Sequence, residues 1–408
     1  MPEKGSQGPR RFREPATGQR RRRRRILMAL IAAPFLVLLL WASVSYTSWM
    51  LRPTSMSWSV DSVEWVRYKV PYGNWLADHL EQAYYSHNAP KKGGPQLKSL
   101  PAVGLIPSQS YPQSPSAPPT TIPAPWPPPI TPVFPTPLPG EGVWRPTGPP
   151  VDGGPPMLVT TYRPELDYPR IVAYVAWFDH TRTNLAYYPG RYEPLHAAVR
   201  GPMMVPNSQR GRLLATFNGG FTYADGNNGS TDNGLMNEPL KDGNATLIGY
   251  SDGRVDIVNW SGGPTSGPGV AWARQSLAPI IWNGRLNPTL NDNPNSPQWG
   301  YTLGGQTRVW RTGVGIDARG NLIYAAADGQ TVITLAQILQ HAGAVRAMEF
   351  DINPYWHTLI TYTHDPTLVP TMVGPNPNQS ADRYLVPDDR DFFAVYTPMS
   401  GPVTVPFG

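Results

Sequence analysis

The sequence predicts an α+β domain, a largely antiparallel twisted sheet with few helices, preceded by one transmembrane helix and a proline-rich stalk. Three observations predict it. Short β-branched or aromatic runs alternate with tight-turn dipeptides through the second half of the chain, and only one stretch there has clear helical periodicity. Near the N-terminus, an uncharged apolar run gives way to a segment dense in proline. The chain thus divides into a basic cytoplasmic tail (1–25), a membrane helix (26–49), an aromatic helical collar (55–90), a proline-rich linker (91–156) and a folded domain (157–408).

Residues 1–25 carry ten Lys/Arg against two Glu, a net of +8, while the whole chain is +6, so everything after Arg25 sums to −2. The basic character belongs to the tail, and no basic groove for nucleic acid is expected on the folded part. Ile26–Trp49 holds no charge. As a helix it would reach about 36 Å, enough for a hydrocarbon core of about 30 Å. Trp41, Tyr46 and Trp49 lie towards its far end, where such rings favour the interface. Arginines on the near side predict the N-terminus in the cytoplasm and the C-terminal domain outside, with the lipid bilayer as partner. The long basic start and long apolar stretch favour an uncleaved anchor, a cleaved secretory signal being the alternative.

The collar reads as two amphipathic segments, with Asp61 and Glu64 near the start of the first and Asn74 as cap of the second. Its aromatics, Trp58, Trp65, Tyr68, Trp75, Tyr84 and Tyr85, suit either a hairpin packing its own rings or a surface lying on a partner or membrane. From Pro107 to Pro156 about two residues in five are proline, which favours an extended stalk.

In the domain, Pro169–Asp179, Asn184–Tyr188, Leu213–Phe217, Ala245–Tyr250 and Arg254–Trp260 read as strands. Asp252-Gly253 and Asn283-Gly284 read as hairpin turns with positive φ at both central residues, and Gly320-Asn321 as a further tight turn. The helix is Leu335–Ala342, with Thr334 as N-cap and Gly343 after its end, followed by a strand at Val345–Asp351. The chain has no cysteine, which excludes disulfides and thiolate chemistry, and its seven histidines show no metal spacing. No cofactor is called for.

Three strand-end motifs carry the candidate chemistry. Leu213–Phe217 runs into Asn218-Gly219-Gly220-Phe221, where glycines let amides converge on an anionic oxygen and Asn218 both donates and accepts. A plain strand-ending turn is the competing reading. Arg311 precedes Thr312-Gly313-Val314-Gly315 and offers a planar fork suited to phosphate; Arg308 is on the same face. Asp351 ends a strand, with Glu349 on its face as a candidate carboxylate partner and Asn353 in the following loop. The Asp225–Gly253 loop offers further acids, Asp225, Asp232 and Glu238, with no assigned role; a calcium loop there has no regular ligand spacing to support it.

In this order the motifs resemble the phosphodiester glycosidase family over roughly residues 169–396. The family's Asn-Gly-Gly-Phe is present, with Thr222 where a second Phe is usual. Its Asp-Gly-Gly loop is Asp351-Ile352-Asn353-Pro354 here. The resemblance implies hydrolysis between an anomeric carbon and its phosphate, with Asp351, Arg311 and Asn218 as the catalytic set. Gly219, Gly220, Arg308, Glu349 and Asn353 would line the substrate, an envelope glycan or other glycosyl phosphate. A non-catalytic module binding such polymers, or a structural protein using the collar, are the alternatives.

Overall fold

The structure is a computed structural model that describes residues 17–88, 90–103, 126–226, 228–302, 305–364 and 366–398. The basic tail before residue 17 and the stalk residues 104–125 lie outside the described residues. The chain separates into two units, Met1–Arg52 and Pro53–Gly408. In the first, helix α1 (Thr17–Met50) carries Pro34 without interruption, and its Arg22–Met50 stretch is long and apolar enough to cross a membrane.

The second unit opens with α2 (Trp58–Lys69) and α3 (Gly73–Asn88), an antiparallel hairpin. Asp61 lies in the first turn of α2, whereas Asn74 falls inside α3 rather than capping it. Arg67 clamps the hairpin, donating to Glu64 (3.2 Å), Asp78 (2.8 Å) and Glu81 (2.8 Å). The collar packs onto the body: Tyr68 stacks on Tyr192, and Met56 and Val60 bury against Trp356.

Three sheets follow, and every pairing among the described residues is antiparallel. The largest has the order β1 (Arg145–Thr147), β2 (Met157–Tyr162), β3 (Ala173–Phe178), β14 (Leu322–Gln330), β13 (Val309–Asp317), β15 (Ala344–Glu349), β11 (Ile281–Trp282), β12 (Arg285–Leu286). The second runs β7 (Leu235–Glu238), β6 (Ser230–Asp232), β10 (Val270–Gln275), β8 (Ala245–Tyr250), β9 (Val255–Asn259). The third runs β17 (Leu368–Met372), β16 (Leu359–His364), β5 (Leu213–Asn218), β18 (Phe392–Tyr396), β4 (Asn184–Tyr188).

The large sheet is buried on both faces. Ala176, Tyr324 and Val314 face the other sheets, packing with Phe217, Phe350 and Phe393, while their neighbours Val175, Ile323 and Ala325 pack beneath α5 (Val332–His341). That is why β3 reads as an unbroken apolar run, and why all six residues of β2 are buried, Thr160 and Thr161 included. The cap of α5 is Thr331, not Thr334: Thr331 Oγ1 accepts from Thr334 N, and the Thr334 hydroxyl accepts from Thr331 N, a reciprocal capping box. A four-residue turn of helix, α4 (Tyr223–Gly226), follows the Asn-Gly-Gly-Phe motif.

Two further expectations change. The turn at Asn283-Gly284 has positive φ at both residues, but at Asp252-Gly253 only the glycine does. The boundary placed at residue 157 falls inside the compact unit. Ile130 and Trp144 are buried in the core beneath α5, Pro128 O accepts from Trp144 Nε1 (2.9 Å), and β1 pairs with β2. Glu141 and Arg163 form a fully buried ion pair (2.7 Å). The described end of the proline-rich segment is therefore a strap on the domain, held by burial of its few large apolar residues.

Candidate active site

The three motifs meet at one buried knot. Asn218 ends β5, Thr312 lies early in β13, and Asp351 lies two residues past the end of β15. Asn218 Nδ2 donates to Thr312 Oγ1 (3.0 Å) and to Gly219 O (2.8 Å). Its Oδ1 accepts from the Tyr324 hydroxyl (2.8 Å) and Thr358 N (3.1 Å). Both donors and both acceptor positions of the amide are thus in use. Thr312 Oγ1 accepts from Asp351 N (3.0 Å) and donates to Asp351 O (3.1 Å), so the backbone of the aspartate is fixed through one hydroxyl.

The loop after Asp351 needs no glycine because side chains shape it. Asp351 Oδ1 accepts from Asn353 N (3.0 Å) and Asn353 Oδ1 from Tyr355 N (2.9 Å), two successive Asx turns. Neither Ile352 nor Asn353 has positive φ, and Ile352 packs with Phe221, Leu277 and Val309.

The cation at Asp351 is Arg390, whose Nη2 donates to Asp351 Oδ2 (3.2 Å). Burial pushes the Asp351 carboxyl up to about 6, opposed chiefly by the Arg390 charge. Arg390 lies over the Trp356 ring at 5.1 Å and faces Gly220 O at 3.5 Å, while its Nε is buried with no hydrogen-bond partner. It precedes β18, in the run Asp388-Asp389-Arg390-Asp391.

Behind it, Arg274 at the end of β10 donates to Asp391 Oδ2 (2.5 Å), Phe221 O (2.7 Å) and Gln275 O (2.6 Å). Tyr187 donates to the same Asp391 oxygen (3.0 Å). Glu193 Oε1 accepts from Tyr223 N (2.9 Å), and burial raises its carboxyl to about 7 against the pull of Arg274. Gly219 is squeezed against this group: a Cβ there would lie 2.5 Å from Asp391 Oδ1, whereas at Gly220 the nearest atoms are at 3.6 Å. Neither glycine has positive φ and Gly219 N donates to Asp391 O, so the amide nest expected of them is not formed; close approach is what requires Gly219.

Arg311 is committed elsewhere. Its Nη1 donates to Glu349 Oε1 (2.5 Å) and its Nε to Gln330 O (2.9 Å). Burial raises the Glu349 carboxyl to about 7; Arg311 opposes this and the Asp351 charge adds to it, so the two carboxylates do sense one another. Glu349 Oε2 is buried without a partner. Arg308 makes a two-pronged pair with Glu165 (2.8 and 2.7 Å) over the Tyr168 ring, with no contact to Asp351. The fold thus brings together Asn218, Gly219, Gly220, Asp351 and Asn353, sets Arg311 and Glu349 beside them as a buried pair, and leaves Arg308 outside. Sequence reasoning missed Thr312, Arg390, Arg274, Asp391 and Glu193. The Asp388–Asp391 charge run ahead of an aromatic strand was the available signal for two of them.

A separate cleft of about 370 Å³ is lined by Phe178, Tyr250, Arg254, Arg319 and Arg346, near the opposite ends of β13 and β15, and by none of the residues around Asp351. Among the described residues no group of His, Asp and Glu could hold a metal ion.

Residues 195–351 match the family model for phosphodiester glycosidases. No curated protein matches the chain. Among solved structures it is similar to the zebrafish N-acetylglucosamine-1-phosphodiester alpha-N-acetylglucosaminidase catalytic domain, auto-inhibited by its pro-peptide. That likeness has 13% identity and a TM-score of 0.39, over 61% of this chain and 86% of that one. It is also similar to a hypothetical protein from Synechocystis, with 13% identity and a TM-score of 0.37, over 61% of this chain and 64% of that one.

Proposed function

From the phosphodiester glycosidase match over residues 195–351, we propose that the chain is a membrane-anchored, extracytoplasmic hydrolase of sugar-1-phosphate diesters. The observation that carries this is the knot itself: three motifs far apart in sequence converge, through Asn218 and Thr312, on one buried carboxylate. The anchor is α1, whose apolar length suits a bilayer, with the arginines of its first turns on the cytoplasmic side.

In the proposed reaction water adds to the anomeric carbon and the bond from that carbon to the phosphate oxygen breaks. Asp351, ionised above about 6, takes the water proton. The electron pair leaves on the phosphate oxygen, and the products are a free sugar and a phosphomonoester. Arg390 is the cation placed to stabilise the departing charge, because it reaches Asp351 and keeps a buried N–H to spare. Arg311, assigned that task by the resemblance, instead holds Glu349. Asn218 acts as a positioning residue, since its amide has no donor left for substrate.

The glycine-free Asp351–Pro354 loop favours one other reading, a module that binds such polymers without cleaving them. Both are tested by incubating the protein with a panel of sugar-1-phosphodiesters beside Asp351→Asn and Arg390→Ala. Release of free sugar by the parent and by neither variant supports the hydrolase. Binding without release supports the module, and parental turnover by both variants would mean the site is elsewhere.

A further inference from the structure

Helix α3 is turned inside out. Its buried side carries Ala77 and Glu81, with Asp78 beside them, all facing the Arg67 clamp of α2. Its outer side, from the α2–α3 turn onward, carries Tyr72, Trp75, Leu76 and Leu80, which are 89%, 61%, 41% and 57% exposed. Trp75, Leu76 and Leu80 share one broad face of the helix, with the exposed His79 among them, and Tyr72 stands just ahead of that face in the turn. A soluble helix would put that stripe against its own core. Here the core-facing side carries Glu81 and Asp78, whereas the outer stripe meets no core residue among the described ones, its Trp75 resting only on the ring of His79 in the same helix (4.2 Å), and Trp58 at the start of α2 is exposed at 70%.

We propose that this stripe lies in the membrane interface, with α3 resting on the lipid surface just outside the anchor. The proposal rests on the anchored reading given above. Two features of the chain select lipid as the occupant. Only residues 51–57 separate α1 from α2, a tether of at most about 25 Å, so the hairpin is confined close to the bilayer that α1 enters. The large exposed residues are Trp, Tyr and Leu, the side chains that favour the headgroup boundary, with Asn74 and His79 between them, and the 16-residue α3 would lie about 24 Å along it. The same hairpin borders the candidate site: Val60 of α2 buries against Trp356, over whose ring Arg390 lies, and burial pushes the Glu64 carboxyl up against the pull of Arg67 and Arg390. A hairpin resting on lipid would therefore hold that side of the domain near the membrane surface.

The chain has no cysteine, so single introduced cysteines are clean probes. The full-length protein, reconstituted in phosphatidylcholine vesicles, carries a nitroxide at Leu76→Cys or Leu80→Cys. Leu38→Cys in α1 serves as the anchor control and Asn291→Cys as the water control. The readout is collision with oxygen, which concentrates in lipid, against collision with a water-soluble nickel chelate. The expected result is oxygen-dominated collision at residues 76, 80 and 38, and nickel-dominated collision at residue 291. Nickel-dominated collision at 76 and 80 with a lipid signal at 38 would overturn the interfacial helix and leave the anchor intact. A water signal at 38 as well would overturn both. Dipolar broadening between labels at 76 on different copies, without a lipid signal, would also overturn the proposal, in favour of a second copy of this chain.

Discussion

Replacing Asn218 by alanine should cost far more stability than its size suggests. The side chain makes four buried hydrogen bonds, to Thr312, Gly219, Tyr324 and Thr358. At roughly 1 kcal/mol net for each, the loss is about 4 kcal/mol, and the stranded Tyr324 hydroxyl and Thr358 N–H would add to it. That is a large share of a domain's typical stability of about 5–15 kcal/mol. Tyr324→Phe is the internal reference. It deletes one of the four bonds while Asn218 Oδ1 keeps Thr358 N, so about 1 kcal/mol is expected. The assay is urea unfolding of the 53–408 unit, followed by tryptophan emission, comparing midpoints at constant slope. If Asn218→Ala cost no more than Tyr324→Phe, the amide would not be the knot between β5, β13 and Asp351, and its reading as a substrate contact would return.

Other outcomes follow from the same geometry. Gly219→Ala should destabilise by about 1–3 kcal/mol, because its Cβ would meet Asp391 at 2.5 Å, whereas Gly220→Ala should be tolerated; thermal unfolding of the pair checks this. Arg311→Ala leaves Glu349 buried without its cation and should cost about 3–5 kcal/mol in the same urea assay. For catalysis, kcat/KM should rise with pH as Asp351 ionises near 6. Arg390 opposes the upward push of burial on that carboxyl, so Arg390→Ala should move the rising limb to higher pH as well as lower the plateau. A limb that stays in place would separate Arg390 from the titrating group.

The strands were legible because each runs β-branched or aromatic between turn residues, and β4 and β8 have the ends the pattern sets. The convergence of Asn218 with Asp351 was legible only through the family resemblance, because β5 and β15 belong to different sheets. The partners were not. Arg311 lies within β13 and Arg390 just ahead of β18, and only the register of β13 against β15, pairing Gly313 with Glu349, commits Arg311 to Glu349. Likewise, the glycine-free loop looked like a broken motif until two Asx turns supplied its shape. The strap at Ile130–Trp144 was hidden by proline content, which reports on local stiffness and is silent on whether a few large side chains find a core.

The most direct test of the central claim is the origin of the oxygen in the products. The reaction is run on a sugar-1-phosphodiester in ¹⁸O-labelled water, and the phosphomonoester is analysed by mass spectrometry. Attack at the anomeric carbon, as proposed around Asp351, leaves the phosphomonoester without label. Label in the phosphomonoester would mean that water attacks phosphorus, and would contradict the assignment of this site as a glycosidase.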